Sequence, residues 1–281
     1  TDLLMGGPVD GVFLFVKKNS STEFDRSLGL WNPATREVTT LPAVHFQLQP
    51  FFFEMNGYFG FAFDSFTSNY KVVWVRQFWD KNSYRMFPRG YGAVYSSSTD
   101  SWRILEHKHH KVLTISDDVC GIANMPGYLN GTYYWMIVRN DYCGLISFDF
   151  HNEVFGEIKG PDVPLTGCLD MILRDGSINL LVQGFNRDFV LWVMIEPGVW
   201  NKLHTFRCLS LIDPLFCGFW DATTVIFLTR SSGLSSYDVT TQETRHLGYR
   251  YQGGFFDCRV YYYEESLVSI KRGNRELDRP F

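Results

Sequence analysis

The sequence predicts an all-β fold: a β-propeller of four-stranded antiparallel blades, with five complete blades and a partial sixth. Three observations predict it. One 14-residue pattern recurs five times without a gap. Two further strand-like runs precede each copy. Aromatic residues make up 17% of the chain, with 25 Phe, 15 Tyr and 8 Trp, and such side chains fit a pleated, half-buried surface. No long segment keeps an apolar period of 3.6 residues, so helix signals are nearly absent.

The copies are LGLWNPATREVTTL from Leu28, GAVYSSSTDSWRIL from Gly92, LISFDFHNEVFGEI from Leu145, VLWVMIEPGVWNKL from Val190 and LSSYDVTTQETRHL from Leu234. Their fourth position holds Trp31, Tyr95, Phe148, Val193 and Tyr237. Their eleventh holds Val38, Trp102, Phe155, Trp200 and Thr244. Turn formers such as Asn32-Pro33 and Pro197-Gly198 lie between. Each copy therefore reads as a β-hairpin, strands C and D of a blade.

Strands A and B come from the runs before each copy. They are expected at 3–6 and 12–16, 58–64 and 70–76, 119–125 and 132–138, 168–173 and 177–183, and 215–220 and 224–229. Copies start at residues 28, 92, 145, 190 and 234, so they lie 64, 53, 45 and 44 residues apart. Four-stranded propeller repeats run about 40–50 residues. One more inner pair is expected at 255–263 and 267–270, its outer strands coming from residues upstream of Thr1. The propeller domain thus covers 1–270, and 271–281 is a C-terminal tail.

A formal net charge of −4 argues against a nucleic-acid partner, which calls for a strongly basic surface. No run of 18 apolar residues exists, so no membrane-spanning helix is expected. The six cysteines, at 120, 143, 168, 208, 217 and 258, form no C-x-x-C pair. They read as buried free thiols in a reducing compartment. That favours a cytoplasmic location, with the nucleus as an alternative.

Strand direction alternates within a blade, so A–B and C–D turns share one face of the disc, and B–C and D–A loops share the other. The C–D turns are short and uniform, whereas the B–C and D–A loops vary in length. Variable loops on a rigid scaffold carry recognition, so the B–C/D–A face is expected to bind a target. The B–C loop of the second blade dominates it. Arg76, Lys81, Arg85 and Arg89 alternate there with Trp79, Tyr84, Phe87 and Tyr91. Arginine with Trp and Tyr is the composition of protein-interface hot spots.

Catalytic signatures are not found. There is no G-x-S-x-G elbow, H-E-x-x-H helix or phosphate loop. The run His107-Lys108-His109-His110 lacks spaced Cys, Asp or Glu partners for a metal. Asp117 and Asp118 are adjacent on extended chain and point apart. No cofactor and no enzyme activity are expected. The competing reading is a propeller enzyme or cation-binding protein using Asp64, Asp170, Asp221 and Asp257 near the inner strands. The simpler reading is that each closes its own turn.

LWNPATRE at 30–37, FGFAFDSFTSNYKVVWV at 59–75, VYSSSTDSWRIL at 94–105, LNGTYYWM at 129–136, ISFDFHNEVFGEI at 146–158 and YYYEESLVSI at 261–270 occur in this order. Together they resemble the F-box-associated (kelch-like) domain of plant F-box proteins, close to the S-locus F-box and S-locus F-box-like group. NP-x-T-R-E and NYKVV are the most specific stretches. The resemblance implies the target-recognition part of an SCF-type ubiquitin ligase, with ubiquitin transfer occurring elsewhere in the complex. It implies a Skp-type adaptor and a cullin as partners through an F-box that residues 1–281 do not contain. In the S-locus group it implies a style ribonuclease as target, in self-incompatibility.

Overall fold

The structure, a computed structural model, describes residues 3–18, 26–46, 52–67, 69–80, 89–105, 119–139, 142–163, 169–174, 176–183, 188–207, 215–221, 223–229, 233–249 and 260–270. They form five four-stranded antiparallel sheets, each consecutive in sequence. The first blade is β1 (Leu3–Val9), β2 (Val12–Lys18), β3 (Arg26–Asn32) and β4 (Glu37–Thr40). The second is β5 (Phe52–Asp64), β6 (Asn69–Asp80), β7 (Arg89–Ser96) and β8 (Ser101–Ile104). The third is β9 (Val119–Leu129), β10 (Thr132–Arg139), β11 (Cys143–Asp149) and β12 (Val154–Lys159). The fourth is β13 (Leu169–Arg174), β14 (Ser177–Gln183), β15 (Asp188–Glu196) and β16 (Val199–Arg207). The fifth is β17 (Leu215–Phe219), β18 (Thr224–Thr229), β19 (Gly233–Asp238) and β20 (Thr244–His246). The propeller of four-stranded blades is as the repeat predicts.

The repeat has a register meaning. Its fourth and eleventh positions face each other across the C–D ladder as Trp31–Val38, Tyr95–Trp102, Phe148–Phe155 and Tyr237–Thr244. In the fourth blade the turn is only Pro197-Gly198, so Trp200 shifts one step and faces Met194. Elsewhere the residue closing the turn is left-handed: Arg36, Asp100, Glu153 and Gln242 have φ of 58°, 48°, 54° and 60°. The residue opening the turn caps it. Asn32, Asp149 and Asp238 each accept two backbone N–H groups through Oδ1. Blade two opens with Ser96 instead, and Asn69 takes over the cap by accepting the Ser98 N–H.

Apolar side chains fill the gaps between blades. Leu14, Leu30, Phe61, Val72 and Tyr95 join the first and second. Val73, Tyr133, Trp135 and Phe148 join the second and third. A larger cluster, including Leu145, Leu180, Phe189, Phe206 and Phe227, runs through the third, fourth and fifth. Polar contacts also cross between blades two and three, and one of them is made by the lysine of a buried ion pair. Lys71 Nζ lies 2.8 Å from Asp64 Oδ2 and donates to the Phe150 carbonyl at 3.0 Å. Glu153 Oε1 stands 3.8 Å from the same Nζ and pairs also with Arg103.

Residues 260–270 form no ladder of their own where strands of a sixth blade are predicted. The predicted residues 255–259 lie outside the described set. The described segment is a strap between the fifth and first blades. The Val260 N–H donates to Cys217 O at 2.8 Å. The rings of Tyr261 and Tyr263 meet Phe13, which leans on Trp31. Asn32 Nδ2 donates to Ser266 O and Val268 O at 2.9 and 2.7 Å. Glu37 accepts from Ser269 Oγ and from the Ile270 N–H. Ile270 is buried in the core shared by blades one and two. Gly11 is required where the strap passes: its φ is +69°, and a Cβ there would lie 2.6 Å from Ser266 Cβ.

Of the cysteines, Cys143 and Cys217 are buried free thiols. Burial pushes the Cys143 thiol up to about 11, which suppresses its thiolate.

Candidate functional site

On the B–C/D–A face a cleft of about 360 Å³ opens between blades one and two. Specific ligand clefts start near this size, at about 300 Å³. Its walls are Arg26 and Ser27 at the start of β3, residues 41–45 leaving β4, and Trp74, Arg76 and Trp102 of blade two. Trp102 Nε1 donates to Pro42 O at 2.7 Å and so fixes the D–A segment against blade two.

Alternation along β6 places Trp74, Arg76 and Phe78 on one side of the strand. The Arg76 guanidinium lies 4.8 Å from the Trp74 ring centre, 5.2 Å from Phe78 and 5.3 Å from Phe46. All three distances are within cation–π range, about 6 Å. Tyr91 is the cross-strand partner of Arg76 and closes the group against Phe78 at 5.6 Å and Phe46 at 6.3 Å. The rings hold the arginine rigidly, so little side-chain entropy is lost when a partner meets it. The cleft is positive and aromatic, which suits an acidic or aromatic side chain.

Two of the eight predicted target-binding residues, Arg76 and Tyr91, are thus brought together. Trp79 and Arg89 sit on the β6 and β7 backbones beside them, in register with Phe53 and Phe78. The side chains of Trp79 and Arg89, and the whole of Lys81, Tyr84, Arg85 and Phe87, lie outside the described residues. Sequence reasoning missed Arg26, His45, Phe46 and Trp74. Phe46 and His45 belong to the longest D–A connection, which was the available signal. Trp74 sits inside NYKVVWV and reads as core.

Among the described residues, the aspartates near the inner strands form no shared metal-holding group. Asp64 accepts the Phe66 N–H and Thr67 Oγ1 as well as Lys71. Asp221 accepts the N–H groups of Thr223 and Thr224. Both close their own turns. Asp170 is buried within β13, facing Leu181 across the ladder. Asp257, the His107–His110 run and Asp117-Asp118 lie outside the described residues. Among the described residues no group of three or more His, Cys, Asp or Glu is placed to hold a metal ion.

Residues 7–248 match the F-box associated beta propeller domain. The chain belongs to this family. Among curated relatives of this F-box-associated propeller is an F-box/kelch-repeat protein of Arabidopsis thaliana, 27% identical over 248 residues. The match covers 85% of this chain and 63% of that protein. F-box protein CPR1 of Arabidopsis thaliana is 25% identical over 296 residues, covering 94% of this chain and 68% of that protein. The chain therefore spans about two thirds of their length. Among solved structures, a fucose-recognising lectin of Aleuria aurantia, a six-bladed propeller, is 10% identical. It superposes with a TM-score of 0.48 over 87% of this chain and 75% of that chain.

Proposed function

We propose that this propeller is the target-recognition part of an SCF-type ubiquitin ligase receptor. It captures a protein on its B–C/D–A face and catalyses nothing itself. Family membership supports the role, and the ring-held Arg76 in the cleft between blades one and two is the observation that carries the choice of face. The adaptor and cullin join through an F-box elsewhere in the parent protein. The S-locus wording of the sequence makes a style ribonuclease the first target to test. The cytoplasm or nucleus is the working compartment, in keeping with buried thiols such as Cys143.

The test purifies the F-box-bearing parent from plant tissue with the proteasome blocked, beside a variant carrying Arg76→Ala, Trp79→Ala, Arg85→Ala and Arg89→Ala. Adaptor and cullin are expected with both. The target is expected only with the parent, its recovery falling roughly 30-fold for a lost hot spot of about 2 kcal/mol. Equal target recovery from the variant removes this face from the reading. Absence of adaptor from both removes the ligase.

A further inference from the structure

The opposite face carries a second feature that the cleft above does not use. The inner strands end there, at the A–B turns. A cavity of about 250 Å³ opens among them, lined by residues of β1, β9, β13 and β17 together with Val260, Tyr261 and Tyr262 of the strap. It opens between the inner strands of blades one, three, four and five.

Its wall is aromatic. Tyr128, Tyr133, Phe216, Phe219, Tyr261 and Tyr262 all line it. Tyr133 is 1% exposed, and its hydroxyl has no hydrogen-bond partner among the described residues. That hydroxyl abuts the β1 backbone, 2.9 Å from where a Cβ on Gly6 would stand. A buried phenol with an open oxygen is costly to leave unpaired.

The rim carries carboxylates. Glu264 accepts the Tyr262 hydroxyl at 3.1 Å, which sets a negative charge on a ring of the wall. Asp10 stands exposed in the turn beside Gly11, against which the Glu264 carbonyl packs. The charges of Asp64 and Asp10 reach Tyr128. Together with burial, the larger cause, they push that phenol above the ordinary tyrosine range. Asp221, also exposed, sits next to Trp220, a residue 72% exposed. One cation is already at home here: the Arg174 guanidinium lies 5.3 Å from the Phe219 ring centre.

Aromatic rings inside and carboxylates outside form the chemistry that recognises a cationic side chain. Rings attract the cation, and acids steer it inward. We propose that this cavity on the A–B/C–D face binds a lysine- or arginine-bearing segment of a partner protein. The aliphatic stem fills the cavity, and the charged head lies among Tyr262, Glu264 and Asp221. This site is separate from the Arg76 cleft and stands whether or not the ligase reading does. A partner could use both faces only by presenting opposite charges to them.

Labelled hexa-arginine and hexa-glutamate peptides test it by fluorescence anisotropy against the 281-residue chain. Three variants accompany it. Asp221→Asn with Glu264→Gln removes rim charge and keeps the turn cap. Trp220→Ala with Tyr262→Ala removes exposed rings. Glu196→Gln with Glu243→Gln removes two exposed carboxylates from outer turns of the same face. Hexa-arginine is expected to bind and hexa-glutamate not. The first two variants should each weaken binding about tenfold, and the third should leave it unchanged. Near-UV circular dichroism checks that each variant keeps native packing. No binding of hexa-arginine, equal loss in the outer-turn variant, or full binding by the ring variant each overturns the proposal. None of these outcomes bears on whether the parent recruits an adaptor.

Discussion

Lys71→Met is expected to cost about 3–5 kcal/mol of folding stability, a large share of the roughly 5–15 kcal/mol that holds a domain. Lys71 and Asp64 have side chains only 11% and 3% exposed. Removing the ammonium leaves a buried carboxylate and the Phe150 carbonyl without their charged partner. Methionine keeps most of the stem volume, so the loss is electrostatic rather than a cavity. Adding Asp64→Asn should recover a good part of it, because a neutral pair has no uncompensated charge. Urea unfolding of both variants measures this. If the double variant is less stable than Lys71→Met alone, the turn bonds of Asp64 outweigh the ion pair.

The same pair sets an acid limit. Burial works to raise the Asp64 pKa, but Lys71, Thr67 and the Phe66 N–H outweigh it and leave it below the ordinary value. An unfolded aspartate titrates near 3.9, about its value in model peptides. A lowered folded pKa gives stability that is fully present above that point and is lost as pH falls through the folded value. Acid sensitivity below about pH 4 should therefore be weaker in Asp64→Asn than in the parent chain, once both are compared with their own neutral-pH stability.

The second large effect belongs to Asn32. It is fully buried, and its amide makes four bonds: two donated to the strap and two accepted from its own turn. Asn32→Ala strands those partners and is expected to cost about 3 kcal/mol. Asn32→Asp separates the roles. It keeps the cap but sets a carboxylate against the carbonyls of Ser266 and Val268. A protease specific for glutamate reads strap opening at Glu264 and Glu265. Cleavage there should speed up about a hundredfold in Asn32→Asp if opening becomes about 3 kcal/mol easier. An unchanged rate would mean that Glu37 and Ile270 hold the strap without Asn32.

These two sites also explain what could be read in advance. The hairpin repeat was legible because most copies spend their recurring pattern on local needs: a cross-strand pair such as Tyr95–Trp102 and a capped turn with a left-handed last residue. Local chemistry leaves local marks. NP-x-T-R-E and NYKVV were distinctive words whose use was hidden, because their partners are remote. Asn32 and Glu37 serve a strap more than 230 residues away, with separations of 234 and 233. Lys71 serves a carbonyl 79 residues away. The strap itself, YYYEESLVSI, read as strand because Tyr and Val favour strands. Among the described residues it forms no ladder, and Asn32, Glu37 and Thr39 bond its backbone. The target-binding cleft was half legible. A basic, aromatic loop announced the second blade, but the first blade's Phe46 and Arg26 carry no such composition.

The strap also imposes an order on biosynthesis. Blade one leaves the ribosome before the other four, and the groups that seal its turn end arrive 231 to 236 residues later. At about 5–20 residues per second that gap is roughly 10–50 s. Throughout it the Phe13 and Trp31 rings and the Asn32 amide stand uncovered on an otherwise finished sheet. A nascent chain therefore displays, until the strap is made, an apolar patch that the completed molecule hides, and a product cut short before residue 260 keeps it. Apolar surface left open for that long is a route to aggregation, and the strap is what closes it.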